Sequence, residues 1–197
     1  TLRWSQGRLA AAESLYRRVL PLDVRFRRVD DPAFARNIRN FGVVLYSQGR
    51  YAGADSMFRR ALEIQERTQG SDNYEVGNTL NNLGGLYFRM GRYEEALQFY
   101  DRGRPMLERT LGPIHPTVIG LYNNRGEAYW KLKRYAEAEP LLRHALAAKE
   151  KVFGPEHART SSTLHALAGL LRDEGRYREA EPLYKRALQI REKSSPQ

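Results

Sequence analysis

Histidines and carboxylates are the residues in this sequence best suited to acid–base or metal chemistry. The histidines are His115, His144, His157 and His165, and no two of them have the H-x-x-x-H spacing of a helical zinc site. The chain has no cysteine, and it has no glycine-rich loop of the nucleotide-binding types. The sequence therefore predicts no catalytic site, no metal site and no cofactor, and a protein that is not an enzyme.

Two of these histidines and the paired carboxylates have a structural explanation. His115 and His157 lie 42 residues apart in equivalent turns, where we expect them to shape the start of a helix. Glu94-Glu95 and Glu137/Glu139 lie at the starts of predicted helices, where carboxylates complement the helix dipole. We therefore interpret all of them as scaffold residues.

Asparagine offers a different chemistry, because Asn40, Asn82 and Asn124 recur at a spacing of 42 residues within predicted helices. Asparagine is a poor helix former, so something other than helicity favours it there. A side-chain amide both donates and accepts hydrogen bonds, and a row of amides can pair with the backbone of an extended ligand. The alternative, that these asparagines bond a neighbouring helix or face water, stays open.

The elements that must position these residues are set by an internal repeat. One tripeptide occurs five times at a spacing of 42 residues, as Gly7-Arg8-Leu9, Gly49-Arg50-Tyr51, Gly91-Arg92-Tyr93, Lys133-Arg134-Tyr135 and Gly175-Arg176-Tyr177. Each copy is followed by an alanine (Ala12, Ala54, Ala96, Ala138, Ala180) and, four residues later, by an aromatic residue or leucine (Tyr16, Phe58, Tyr100, Leu142, Tyr184). This spacing predicts an amphipathic helix after every tripeptide.

A second helix pattern precedes each tripeptide. Apolar residues recur there at i, i+3 and i+7, with a small residue such as Gly42, Gly84 or Gly126 where a neighbouring helix must approach closely. We call the helix before each tripeptide the first helix of a repeat, and the helix after it the second helix. The tripeptide is the turn between them, and its glycine can adopt the left-handed conformation that ends a helix.

Glycine and proline clusters at 70–73, 112–116 and 154–157 separate one repeat from the next. The pattern predicts about nine helices and no strand, with helices at 9–26, 32–47, 51–68, 74–89, 93–110, 116–131, 135–152, 158–173 and 177–193. A single helix pair cannot bury its apolar face, so such pairs stack. We expect one solenoid over 1–197, with a partial unit at 1–31 and units at about 32–73, 74–115, 116–157 and 158–197.

These spacings resemble the tetratricopeptide repeat (TPR), whose usual period of about 34 residues is exceeded here. The longer unit, with Leu80-Asn81-Asn82-Leu83-Gly84-Gly85-Leu86-Tyr87 and Gly112-Pro113-Ile114-His115-Pro116, resembles the kinesin light chain type. The resemblance covers nearly the whole chain. It implies an all-α superhelix (α-solenoid) of antiparallel helix pairs, whose concave groove binds extended peptides.

Carrying the repeat register to the groove side of the first helices identifies the residues predicted to bind a peptide. They are Arg36, Arg39, Asn40, Tyr46, Asn78, Asn81, Asn82, Phe88, Arg89, Asn123, Asn124, Trp130, Lys131, His165 and Arg172. Basic groups outnumber the two acids on this side, Glu127 and Asp173. Such a surface suits an acidic peptide with an aromatic or leucine anchor.

Some positions depart from the repeat. Arg125 replaces the apolar residue of other first helices, so it either buries its stem against a partner or leaves its unit locally loose. Gly103 and Pro105 interrupt one second helix and Pro21 lies in the same register, so we expect kinked or terminated helices there. The tail from Lys193 is expected to fray.

Composition narrows the function classes. The net charge of +10 comes mainly from arginine, which prefers carboxylate and phosphate partners; solvated helix faces are the alternative explanation. No apolar stretch is long enough to span a membrane. The absence of cysteine fits a cytoplasmic location. The start at Thr1 and the absence of a polar capping helix favour a fragment of a longer chain, or end-to-end self-association.

The leading hypothesis is a non-enzymatic protein–protein interaction scaffold that binds an acidic peptide or partner segment in the groove. The alternative is a regulatory or sensor TPR segment that controls an attached catalytic domain. An RNA-binding solenoid is less favoured, because no nucleic-acid motif accompanies the charge.

Overall fold

The computed structural model describes residues 2–26 and 31–194, and these residues form nine α-helices and no strand. The helices are α1 (Leu2–Phe26), α2 (Pro32–Ser47), α3 (Tyr51–Gln69), α4 (Tyr74–Arg89), α5 (Tyr93–Leu111), α6 (Pro116–Lys131), α7 (Tyr135–Phe153), α8 (Ala158–Asp173) and α9 (Tyr177–Ser194). The all-α prediction is confirmed, and so are the predicted helices. The one clear difference is the start of α1, which runs through the first tripeptide instead of beginning after it.

Two compact units divide the chain, one ending at Thr110 and the other beginning at Leu111. In the first unit α1 packs on α2, α2 on α3 and α3 on α4, and the first helices α2 and α4 also touch. In the second unit α6 packs on α7, α7 on α8 and α8 on α9, and the first helices α6 and α8 touch. Contact between sequential neighbours is the packing expected of a helical repeat.

The first helices begin at side-chain caps, which satisfy backbone N–H groups that the helix leaves without a partner. The caps of α2, α4, α6 and α8 are Asp31, Asn73, His115 and His157. His115 Nδ1 accepts from the Thr117 N–H at 3.2 Å, and His157 Nδ1 accepts from the Arg159 N–H at 3.0 Å. The prediction that these two histidines shape helix starts is confirmed.

The tripeptide turns rest on a left-handed residue. Gly49, Gly91 and Gly175 have φ of 75°, 76° and 79°. The N–H of the next residue then reaches back to a carbonyl of the helix just ended, as Arg50 does to Leu45 at 2.9 Å. Lys133 occupies the same position in the remaining turn with φ of 60°, a conformation that costs a side chain more than it costs glycine.

Small residues on the first helices allow the second helices to pack closely, as the pattern predicts. A Cβ atom on Gly84 would lie 2.4 Å from a ring carbon of Tyr100, and one on Gly42 would lie 2.7 Å from the Phe58 ring. In the second unit, a Cβ on Gly126 would lie 2.8 Å from Leu142 Cγ. In these three repeats, the large residue of the second helix therefore fills the space that the missing side chain leaves.

Kinked or terminated helices were expected at Pro21 and Pro105, and termination is wrong at both positions. Pro21 and Pro105 lie inside the continuous helices α1 and α5. A proline removes one backbone hydrogen bond, and tertiary packing can keep the helix intact on both sides. Gly103 is a packing position rather than an interruption, because a Cβ there would lie 3.0 Å from the Gly77 carbonyl oxygen on α4.

The structure also describes two other positions that depart from the repeat, Arg125 and the start of the tail at Lys193. Arg125 is half-buried in a continuous α6, and its Nε atom is buried. At the other end, Lys193 and Ser194 were expected to fray but belong to α9. The rest of the predicted frayed tail, residues 195–197, lies outside the described residues.

Candidate functional site

Three asparagines at one repeat position present amides that the fold itself does not use. Asn40, Asn82 and Asn124 are half-buried on α2, α4 and α6, and none of them has a hydrogen-bond partner among the described residues. Their amide atoms are also not sealed from solvent. The fourth repeat carries the buried Ala166 at this position. We call Asn40, Asn82 and Asn124 the asparagine positions.

Arg39 and Asn123 immediately precede two of the asparagine positions, and both form contacts within the protein. Arg39 is only 8% exposed and pairs with Glu75 of α4. Asn123 is 6% exposed and lies between two partners, donating to Glu127 and accepting from Thr163. These two predicted peptide-binding residues are thus committed to contacts inside the protein.

The remaining polar members of the predicted set lie nearer the surface. Asn78 is half-buried, with its amide 3.4 Å from the Tyr74 hydroxyl. Asn81 is half-buried as a residue, but its side-chain amide oxygen, Oδ1, is buried. His165 is exposed, and its ring centre lies 5.3 Å from that of Tyr184.

The predicted aromatic residues pack at the ends of the first helices. Tyr46 and Phe88 meet the tyrosines that begin the next helix, with ring centres 6.1 and 5.3 Å apart, respectively. Burial raises the pKa of Tyr46. Trp130 lies close against Gly169 of α8, where a Cβ would come within 2.5 Å of its ring. Its indole N–H donates to Asp173 at 2.9 Å. Each aromatic residue therefore presents only part of its ring to solvent.

The cations on this side differ between the two units. In the first unit Arg36 and Arg89 are exposed and neither forms an ion pair among the described residues; a hydrogen bond with the Tyr51 hydroxyl raises the pKa of Arg89. In the second unit Arg172 donates to Asp173 at 2.7 Å, and the Lys131 ammonium lies 4.4 Å from the Trp130 ring centre. Of these cations, Arg36 and Arg89 in the first unit and Lys131 in the second are exposed without an ion pair among the described residues.

The second unit contains a buried series of hydrogen-bonded polar side chains that was not predicted from the sequence. The Lys149 ammonium donates to Thr163 Oγ1 at 2.7 Å, and that hydroxyl donates to Asn123 Oδ1 at 2.6 Å. The Asn123 amide in turn donates to Glu127 Oε1 at 2.6 Å. We call these four residues the polar chain. The available signal was a polar residue in the apolar stripe of a second helix, at Gln65 and again two repeats later at Lys149.

Burial sets the titration of both ends of the polar chain. Desolvation raises the pKa of Glu127, although the Asn123 hydrogen bond and the Lys149 charge oppose the shift. Desolvation lowers the pKa of Lys149, opposed by the charge of Glu127. Neither group has an ion-pair partner among the described residues.

No group of three or more metal-ligating side chains occurs in the described part of the chain. Within the same residues, no helix combines the length and apolar character needed to cross a membrane.

Comparison with known proteins places this architecture. Among solved structures, BtubC (BKLC) from P. vanneervenii matches with a TM-score of 0.83 and 25% identity, over 100% of this chain and 79% of that one. Kinesin light chain TPR-like repeats from Podosopora anserina match with a TM-score of 0.77 and 21% identity, over 98% of this chain and 92% of that one. A Rap protein complexed with Competence and Sporulation Factor has a TM-score of 0.75 and 16% identity, over 96% of this chain and 50% of that one.

Sequence comparison assigns the family. Among curated proteins, no sequence matches the chain significantly. The family model described as Tetratricopeptide repeat matches residues 33–109 and 117–193. Together these two matches span most of the nine-helix array, including all four complete helix pairs. The chain therefore belongs to the tetratricopeptide repeat family, with repeats of the kinesin-light-chain-like type.

Proposed function

We propose that this chain is a non-enzymatic interaction module that binds extended partner-protein segments at the asparagine positions, Asn40 and Asn82 in the first unit and Asn124 in the second. The observation that carries the proposal is the recurrence of three half-buried amides that have no hydrogen-bond partner among the described residues, one on each of three successive first helices. The family supports the general role, because tetratricopeptide repeats are protein-interaction scaffolds. A Rap protein that this chain matches over 50% of its length was solved in complex with Competence and Sporulation Factor, which is in keeping with the proposal.

Asparagine at these three positions lowers the stability of the helix, and contacts among the described residues do not offset that loss. Asparagine is less favourable than alanine in a helix interior by up to about 0.7 kcal/mol per residue. An intramolecular hydrogen bond would offset that cost, and Asn123 shows that the second unit uses asparagine in this way. Asn40, Asn82 and Asn124 make no such bond among the described residues. A ligand backbone that donates and accepts at each amide would supply it.

Charge favours acidic residues in the part of the ligand that lies on the first unit. Arg36 and Arg89 are exposed cations that form no ion pair within residues 2–26 and 31–194, whereas the charge of Arg39 is neutralised by Glu75. The ring faces of Tyr46 and Phe88 lie on the same two helices, α2 and α4. These features support an acidic segment with an aromatic or leucine anchor.

The test replaces Asn40, Asn82 and Asn124 by alanine together and measures binding by fluorescence anisotropy. The probe is a labelled twelve-residue peptide of glutamates around one leucine and one tryptophan. If each amide contributes about 0.5–1.5 kcal/mol, the triple variant loses on the order of ten- to a thousand-fold in affinity. Its thermal melt should match or exceed that of the parent, because alanine is the better helix former.

A matched control changes polar residues on the second helices. Ser56 and Gln98 are exposed one repeat apart on α3 and α5, and their double alanine variant should bind the probe like the parent. An RNA oligomer of the same length serves as the counter-probe. Undiminished peptide binding by a folded triple variant would refute binding at the asparagine positions. Tighter binding of RNA than of the peptide, with a steep salt dependence, would point to a nucleic-acid ligand instead.

A further inference from the structure

Glu127 is the unusual residue on the side of the second unit that carries Asn124. The equivalent positions in the other three complete repeats are Val43, Gly85 and Gly169, none of which can carry a charge. Glu127 lies three residues after Asn124 on α6, a spacing that places both side chains on the same helix face. Any ligand that contacts Asn124 therefore lies near the Glu127 carboxylate.

The polar chain holds this carboxylate at one oxygen. Glu127 Oε1 accepts from Asn123 at 2.6 Å, and the chain continues through Thr163 to Lys149. Oε2 has no hydrogen-bond partner among the described residues, yet it is not a sealed buried atom. One oxygen is thus fixed by the fold, and the other is available to solvent or to a ligand.

Several charged or titratable groups face Glu127. Lys149 lies on α7, His165 on α8 and Lys131 on α6 itself, and the charge of each favours the ionised carboxylate. Arg159 of α8 acts on Lys149 and disfavours its charged form. Burial outweighs these attractions, so the pKa of Glu127 is raised. The resolved pKa shifts of the other described carboxyl groups are all downward. Glu127 therefore gains a proton at a higher pH than those groups.

We propose that Glu127 is a protonation-dependent specificity residue, which disfavours acidic ligand side chains beside Asn124 when ionised and admits them when neutral. The inference rests on the proposed function, because it concerns the charge preference of the same surface. Ionised Glu127 offsets the charge of Lys131 and Lys149, whereas neutral Glu127 leaves both positive. Binding and protonation are then linked, and the Glu127 carboxylate takes up a proton when an acidic ligand binds.

The ionisation itself is tested without any ligand. A carboxyl group whose pKa is raised in the folded state stabilises the fold below its unfolded pKa, and this contribution is lost as pH rises through the folded pKa. The full chain should therefore gain melting temperature relative to Glu127→Gln as pH is lowered from about 7.5 to about 5. Asp173→Asn is the control. Arg172 lowers the pKa of Asp173, so the parent should show no such gain over that variant.

The specificity is tested with the acidic twelve-residue peptide described above. Because histidine ordinarily changes charge near neutral pH, the comparison is made in a His165→Asn background. Lowering the pH from about 7.5 to about 5.5 should strengthen binding on the order of tenfold, and Glu127→Gln should bind tightly at both pH values. Calorimetry in two buffers of different ionisation enthalpy should show proton uptake in the background protein and in Asp173→Asn, but not in Glu127→Gln.

The experiments distinguish failure of the inference about Glu127 from failure of the proposed function. If the peptide binds but Glu127→Gln has the same pH profile and the same proton uptake as the background protein, the inference about Glu127 is overturned and the proposed function stands. Peptide that binds neither protein at any pH overturns both. A melting temperature that falls relative to Glu127→Gln on acidification would overturn the assignment of Glu127 as the protonated group.

Discussion

Replacing Gly84 by alanine tests how tightly the first and second helices of one repeat are packed. In the structure, the added Cβ would lie 2.4, 2.5 and 2.9 Å from three ring atoms of Tyr100. Ordinary van der Waals contact needs at least 3.4 Å, so the ring and the methyl group must separate by about 1 Å. Tyr100 is only 1% exposed, so its ring cannot relieve the contact without disturbing the residues that bury it. Overpacking of this kind costs about 1–3 kcal/mol.

The neighbouring Gly85 provides a matched control in the same helix. A Cβ there would lie 3.8 Å from the Tyr100 hydroxyl, which is an ordinary contact. Gly85→Ala should stabilise the protein by about 0.5–1 kcal/mol, because alanine loses less backbone entropy than glycine in a helix. Both substitutions change helix propensity equally, so the difference between the two variants isolates the clash with Tyr100.

The assay is urea unfolding followed by circular dichroism at 222 nm, with thermal melts in parallel. Gly84→Ala should unfold at lower urea than the parent, and Gly85→Ala at higher urea. Gly84→Leu, with a larger side chain, should be less stable than Gly84→Ala. A Gly84→Ala variant as stable as Gly85→Ala would refute the close packing of α4 on α5. Partial recovery of Gly84→Ala by Tyr100→Leu would locate the strain at this contact.

Three further variants test the turns, the caps and the Arg39–Glu75 ion pair. Lys133→Gly should stabilise the protein by about 1 kcal/mol in thermal melts, because φ of 60° costs glycine little; unchanged or lower stability would contradict the left-handed turn. Alanine at both His115 and His157 should destabilise by about 1 kcal/mol per cap while leaving affinity for the acidic peptide unchanged; weaker binding would make them ligand contacts. Arg39→Ala should cost on the order of 3 kcal/mol, since it leaves the Glu75 carboxylate half-buried without its partner; a loss of peptide affinity at full stability would instead place Arg39 in the binding surface.

The helices and turns of this protein could be predicted from its sequence because their signals are local. A period of 42 residues repeats the same alanine, aromatic and glycine positions, and caps such as Asp31 and Asn73 act on N–H groups two or three residues away. The small residue on each first helix was predicted for the same reason. Proline was the exception: Pro105 has an unfavourable local effect, but packing of α5 keeps the helix continuous.

Tertiary structure determines which side chains on the predicted binding side remain available to a ligand. Arg39 and Asn40 are neighbours in the sequence, yet Arg39 is buried against Glu75, and the Asn40 amide has no hydrogen-bond partner in the part of the chain that the structure describes. Asn123 and Asn124 divide in the same way, because the hydroxyl that occupies Asn123 comes from Thr163, 40 residues further along the chain. A repeat places each residue on a helix face. Its hydrogen-bond partner is supplied by another helix, and only the folded packing brings that partner within reach.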